Sequence, residues 1–421
     1  MAPHSPENMT GTNGSSPAET PALIDLFCGA GGLATGFKQR GFTSVLASDI
    51  WRPAADTYVL NHPDHPFIQD DIRNLEQTEE FSKAVKNKPL VIAGGPPCQG
   101  FSSAGARRAD DERNTLVSFY AELAARAQPD VIVFENVEGF LTADGGRFVL
   151  DLLRPLVKAG YQVRLEKHNV ANFNVPQLRK RVIGIASRDK VPQPLKPTTF
   201  AHGMPGAELV GLDLPATQTV SQSLGGLKLD SEADPLAQSK TLSDLEQARV
   251  SHVPPGGTMR DLPPHLQHAS WQKRANRRVA DGMPTERRGG APSGLRRLRG
   301  DQPSKAITSA APREFIHPDK NRFLTPRECA VLQTFPEDYV FAGNKAAVNT
   351  LIGNAIPPLF AEAIADAVLR TLAQPLRTEL KGGIEALSLT NSSGVSPALA
   401  RTMKAVTVEF GETNASETTL F

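Results

Sequence analysis

Six short apolar runs recur through the first 190 residues: "ALIDLF", "SVLASDI", "PLVIAGGPP", "PDVIVFENV", "YQVRLEKHNV" and "RVIGIAS". Near-continuous apolar runs of this length, bounded by proline or glycine, predict strands buried on both faces. Between them, "LATGFKQRG" and "VLDLLRPLVKAG" place apolar residues at helical spacing. The first ends on Gly41, a natural residue just past a helix end. Strands alternating with helices predict an α/β fold with a doubly wound, mostly parallel sheet.

The pattern stops near Ser187. From there to about Lys320 proline and glycine are frequent and periodicity is poor. It resumes at "TPRECAVLQTF", where Thr325 caps, Pro326 takes the first helical position and Glu328 completes a capping box. "PPLFAEAIADAVLRTLA" carries the strongest helical pattern. Five segments are expected: a polar tail at 1–20, an α/β domain at 21–186, a smaller irregular domain at 187–300, a return to the α/β domain at 301–375, and a flexible Ser/Thr-rich tail at 376–421.

Composition narrows the class. Hydrophobic residues are 39% and charged residues 22% of 421, enough for a large core and two domains. No continuous apolar run approaches the ~18 residues of a membrane span, and the first residues lack the pattern of a secretory leader. Three widely spaced cysteines, Cys28, Cys98 and Cys329, do not form a disulfide framework or a zinc site, so no metal is expected. The net charge of +1 is uneven: residues 251–300 hold ten Lys/Arg against three Asp/Glu, a local +7, leaving −6 elsewhere. Such a block fits a polyanionic partner or an ordinary solvated face.

Candidate chemistry lies at the strand ends. Gly29, Gly31 and Gly32 let backbone N–H groups approach a ligand at the positive end of the first helix. Asp49 ends the second strand, where a carboxylate takes ribose hydroxyls, and Asp71 follows near an adenine-edge position; both residue types are also ordinary at strand ends. The glycine pattern is short of G-x-G-x-x-G, which favours one adenosine over a dinucleotide. Cys98, in "GGPPCQGF", follows a buried strand behind Pro96 and Pro97. A free cysteine is usually a small buried hydrophobe, the role expected of Cys28 and Cys329, but a loop thiol is accessible and ionisable. Glu135, in "FENV", falls at the same edge if its strand is adjacent, with Asn136 as a positioning residue. In "QLRKR", alternation puts Arg179 and Arg181 on one side of an extended segment.

In order along the chain, "DLFCGAGGL", "GGPPCQGFS", "FENV", "QLRKR", "RFLTPRECAVLQTFP" and "IGNAIPP" resemble the blocks of the DNA cytosine-5 methyltransferases, over about 23–186 and 301–372. "VPPGGTMRDLP" and "LRRLRGDQPSKAIT" resemble the edges of that family's recognition domain. The resemblance implies a bacterial modification-type enzyme that transfers a methyl group from S-adenosylmethionine to C5 of cytosine in duplex DNA. It makes Cys98 the nucleophile toward C6 of a flipped-out base, Glu135 the partner of N3 and the exocyclic amine, and Arg181 the holder of O2, with Arg179 in support. It assigns the cofactor to Phe27, Gly29, Gly31, Asp49, Ile50, Asp71, Ile72, Pro97, Asn354 and Ala355. It places Gln99, Ser102, Arg287, Arg288, Arg296, Arg297 and Arg299 against DNA, as phosphate or base contacts. Two departures are Asp49, where many members carry Glu, and Leu178, where a polar residue is usual. A monomer in the bacterial cytoplasm is expected, either paired with a separate restriction endonuclease or acting as an orphan. The competing classes are a non-catalytic DNA-binding relative, a transfer-RNA methyltransferase, and a nucleotide-dependent oxidoreductase, which has no use for the PPCQ loop.

Overall fold

The computed structural model describes residues 20–97, 115–200, 213–230, 232–269, 271–272, 294–377, 379–389 and 395–411. In chain order, β1 (Ala22–Leu26), α1 (Gly32–Gln39), β2 (Thr43–Ser48), α2 (Arg52–Asn61), β3 (Phe67–Ile68), α3 (Glu79–Ala84) and β4 (Leu90–Gly94) build the first half. Then come α4 (Leu116–Ala127), β5 (Val131–Val137), α5 (Arg147–Lys158), β6 (Gln162–Asn169), β7 (Gln177–Leu178) and β8 (Lys180–Ser187). The eight-stranded sheet has the order β12-β6-β8-β5-β4-β1-β2-β3, where β12 is Gly383–Ser388.

Alternate residues of the buried strands feed two cores, one on each face. Ile24, Ile92 and Phe134 pack with Tyr120 of α4 and Leu152 of α5. Leu23, Val91 and Val133 pack with Phe37 of α1 and Phe360 of the late helix. Gly36 of α1 is needed for that second layer, because a Cβ there would lie 2.4 Å from the Pro358 carbonyl and 2.6 Å from Ala361 Cβ.

Register lines up the chemistry. Leu26 of β1 pairs with Gly94 of β4, and Gly94 with Phe134 of β5, so β1 and β4 end level while β5 runs on through Glu135 to Val137. The sequence does not reveal that β8 runs antiparallel to both β5 and β6. That reversal places the entry of β8 at the exit of β5, with Arg181 opposite Val137 and Ile183 opposite Glu135.

The middle of the chain is built from short pieces: α6 (Val220–Leu224), α7 (Asp244–His252), β9 (Arg296–Arg297), β10 (Ser304–Lys305), α8 (Ala311–Glu314) and β11 (Phe315–Ile316). A small separate core of Val250, Met259, Leu262, Leu295 and Phe323 holds part of it together. The chain then returns through α9 (Pro326–Leu332), α10 (Lys345–Asn354) and α11 (Pro358–Leu372). The capping box at Thr325 and Glu328 forms as expected. Residues 345–372 are together long and apolar enough to cross a membrane, yet they divide into α10 and α11 around Ile356–Pro357 and lie mostly buried.

The expected C-terminal tail differs within 376–421. β12 adds to β6 as a parallel edge strand. It is followed by α12 (Pro397–Phe410), which buries Leu399, Thr402 and Val406. Thr402 donates to the Leu141 carbonyl at 2.7 Å, and Arg154 of α5 pairs with Glu409. These contacts reward an otherwise polar segment for ordering.

Candidate active site

A cleft of about 830 Å³ opens at the carboxyl ends of β1, β4 and β5. Open α/β sheets bind ligands at this edge, where strand order changes direction. Its walls come from the turn after β1, the ends of β2 and β3, the loop after β4, the end of β5, the start of β8 and the C-terminus of α10.

Glu135 and Arg181 meet at one end. Arg181 Nε lies 2.6 Å from Glu135 Oε1, with each side chain 11% exposed. Burial pushes the Glu135 carboxyl above its usual range, while the charges of Arg181 and Arg179 pull against it. Asn136 points the other way along the edge and donates to the Pro96 carbonyl at 3.1 Å. It thereby fixes the loop that carries Pro97, a cleft residue, toward position 98. Cys98, Gln99 and Ser102 lie outside the described residues.

Arg179 and Arg181 both bear on Glu135, Arg181 by direct contact and Arg179 through its charge. β7 ends at Leu178 and β8 begins at Lys180, with a tight turn between them in which Arg179 N–H donates to Gln177 O. Arg179 is buried and donates to the carbonyls of Ile307, Gly353 and Ala355.

At the other end, Phe27 takes a positive φ of 56°, which is costly for a non-glycine residue and turns the chain sharply out of β1. Gly31 (φ 81°) begins α1 without a side-chain cap. Asp49 accepts the Gly29 N–H at 2.9 Å and the Trp51 N–H at 2.8 Å. Burial raises its pKa against those amides. Burial also works to raise Asp71, but its hydrogen bonds to Arg73 and the Arg73 charge outweigh this and hold it below the usual range. Ile50, Ile72, Asn354 and Ala355 all line the cleft, with Asn354 exposed at the end of α10.

Several contributors were not singled out from the sequence. Trp51 lines the cleft beside Ile50. Below the glycine turn, Tyr339 donates to the Ala30 carbonyl, and His62 contacts Thr35 and Tyr339. Burial lowers the His62 pKa to about 4, so this support is neutral at pH 7. Asp25 sits within the first apolar run, 1% exposed, and lines the cleft. Its Oδ2 has no hydrogen-bond partner among the described residues.

Burial raises the Asp25 pKa from 3.8 to about 8. An acid with a raised folded-state pKa binds its proton more tightly when folded, so it withdraws stability as pH rises from about 4 through about 8. The ligand-free protein should therefore lose thermal stability across that window, and Asp25→Asn should lose less. Melting temperatures at pH 5.5, 7 and 8.5 check this; parallel curves for the two proteins would contradict it.

The arginines expected at DNA divide. Arg287 and Arg288 lie outside the described residues. Arg299 is exposed and pairs with Asp301, and Arg296 is half-buried on β9. Arg297 corrects the expectation: it is 5% exposed and donates to the carbonyls of Val250, Val253, His317 and Lys320 and to Asn321 Oδ1. Its donors are consumed in joining α7 to the 316–323 hairpin, so it is a structural tie and not a reader of DNA.

This sheet order and the position of the cleft define a doubly wound α/β protein with its cleft where the strand order reverses. The family model for C-5 cytosine-specific DNA methylase matches residues 22–370. The chain belongs to that family and is a DNA (cytosine-5-)-methyltransferase. It is 34% identical to the type II methyltransferase M1.HphI of Haemophilus parahaemolyticus, over 82% of this chain and 86% of that one. It is also 34% identical to M.PspPI of Psychrobacter sp., over 85% and 80% respectively. In fold it resembles the crystal structure of a candidate DNA modification methyltransferase encoded within a prophage of E. coli, with TM-score 0.56, 23% identity, and 84% and 99% coverage. The family match ends at residue 370, ahead of β12 and α12.

Proposed function

We propose that this enzyme methylates C5 of a flipped cytosine through a covalent bond from Cys98 to C6, using S-adenosylmethionine. The observation that carries this reading is the Glu135–Arg181 pair, facing the same cleft as Asp49 and Asp71 and tied by Asn136 to the loop leading to Cys98. The cleft suits the donor. Phe27 and Ile72 offer apolar faces for adenine, Asp49 retains lone pairs for ribose hydroxyls, and the orphaned Oδ2 of buried Asp25 suits a cationic ligand. Asn354 and Ala355 close the methionine end.

S-adenosylmethionine supplies an electrophilic methyl on a sulfonium. The protein's task is to make C5 electron-rich. Cys98 loses its proton and its Sγ bonds to C6, which pushes an electron pair toward C5 and N3. Glu135, with its raised carboxyl, meets the growing charge at N3 as a hydrogen-bond or proton donor. Arg181 holds Glu135 in place and sets its guanidinium against O2. C5 takes the methyl; loss of the C5 proton then re-forms the ring double bond and expels the thiolate. Flipping costs a few kcal/mol, offset by pocket and phosphate contacts.

The irregular 187–300 region acts as the target-recognition domain, with Arg287, Arg288, Arg296 and Arg299 as its candidate DNA contacts. The enzyme works as a monomer in the cytoplasm, with any cognate endonuclease acting separately. Incubation with tritiated S-adenosylmethionine and unmethylated bacteriophage DNA tests the reading. Label at C5 of cytosine, located by bisulfite sequencing, is expected. Label absent from DNA, or present only in transfer RNA offered in competition, would contradict it.

A further inference from the structure

We infer that Arg179 is a positioning residue that couples the cofactor end of the cleft to the base end, although it touches neither ligand. This rests on the assignment of the two ends given above. Arg179 is 2% exposed, and its hydrogen bonds end on backbone carbonyls: Nη1 to Ile307 at 2.6 Å, and Nη2 to Gly353 at 2.9 Å and Ala355 at 3.3 Å. Gly353 and Ala355 bracket Asn354, which closes the cofactor end. Two residues along the chain, Arg181 holds Glu135 at the base end.

The link is stiff. The Arg179 carbonyl accepts the Val170 N–H at 2.9 Å, anchoring its backbone. Gln177, fully buried, accepts the Ile307 N–H at 3.0 Å and donates to Leu332 O at 2.9 Å and Gln333 Oε1 at 2.6 Å. Gln333 in turn reaches Ile352 O and Ala355 O. A buried polar network of this kind has few alternative arrangements, because every broken bond strands a polar group. A shift of Asn354 onto the cofactor therefore moves the Gly353 and Ala355 carbonyls, the guanidinium they hold and the start of β8. Binding at either end pre-forms the other, and by linkage the effect is reciprocal. The planar fork of arginine is what spans several carbonyls; a lysine ammonium is a point charge that meets fewer at once.

The test uses S-adenosylhomocysteine and sheared, unmethylated bacteriophage DNA. In the native protein, saturating DNA is expected to tighten S-adenosylhomocysteine binding by about fivefold or more, the lower end of common coupling. In Arg179→Lys the factor is expected to fall below about twofold, even where both separate affinities weaken. A merely structural role would lower the melting temperature and both affinities but leave their ratio at the native value, and that result would overturn the inference. Hydrogen exchange on the native protein tests it without the variant. S-adenosylhomocysteine alone should slow exchange at residues 180–183, and DNA alone at 351–356. If methyl transfer to DNA is observed but neither cross-effect is, the coupling is wrong and the functional reading stands. If no methyl reaches DNA, that reading falls and the inference falls with it.

Discussion

Cys98→Ser is expected to lower the rate of methyl transfer by on the order of 10³-fold or more, with the melting temperature and S-adenosylhomocysteine affinity kept near native values. The substitution changes one atom. A serine hydroxyl is almost wholly protonated at neutral pH, whereas a thiol gives a useful thiolate fraction and leaves as readily as it adds. The remaining machinery is untouched: Asn136 still holds the Pro96 carbonyl and Arg181 still holds Glu135. Initial rates of tritium transfer to DNA give the answer. A serine variant within tenfold of native would mean that no sulfur bond to the base is needed.

Glu135→Gln is expected to lower turnover by about 10² to 10⁴-fold, the range for a lost general acid. Unlike the cysteine change, it should also destabilise the protein. Arg181 is 2.6 Å from the carboxylate it would lose, and removing one member of a buried pair costs about 3–5 kcal/mol. Burial raises the Glu135 pKa, so its acid form persists above the usual carboxyl range. Native turnover should therefore decline as pH rises through that pKa, and the residual rate of the glutamine variant should not share the decline. Pre-steady-state transfer rates across pH, with melting curves, separate the effects. Full turnover in Glu135→Gln would remove this residue from the mechanism.

β1, β4 and β5 were legible because each is an apolar run bounded by proline or glycine, and the cleft followed from where those runs end. Direction was not legible: nothing in "RVIGIAS" distinguishes a parallel from an antiparallel strand, yet the reversal of β8 is what brings Arg181 to Glu135. "GIEALS" becomes β12 only because β6 offers an open edge. In α12, Leu399, Thr402 and Val406 fall on one helical face, with Ser396 as cap and Pro397 at the first position. That signal was present, but Ser/Thr-rich flanks hid it. Composition counts arginines without placing them, so Arg297 read as DNA-facing although it is buried on carbonyls. Asp25 was hidden by its apolar neighbours; only burial reveals its unpartnered oxygen.

The most direct measurement of the central claim uses duplex DNA carrying 5-fluorocytosine, incubated with S-adenosylmethionine. Fluorine at C5 cannot leave as a cation, so the final elimination stops and the enzyme should remain bonded to DNA through Cys98. A denaturation-resistant complex is predicted, with the peptide containing Cys98 carrying the modified nucleotide in mass spectrometry. Full conversion of ordinary cytosine by the same preparation, with no stable complex on the fluorinated duplex, would contradict the covalent account.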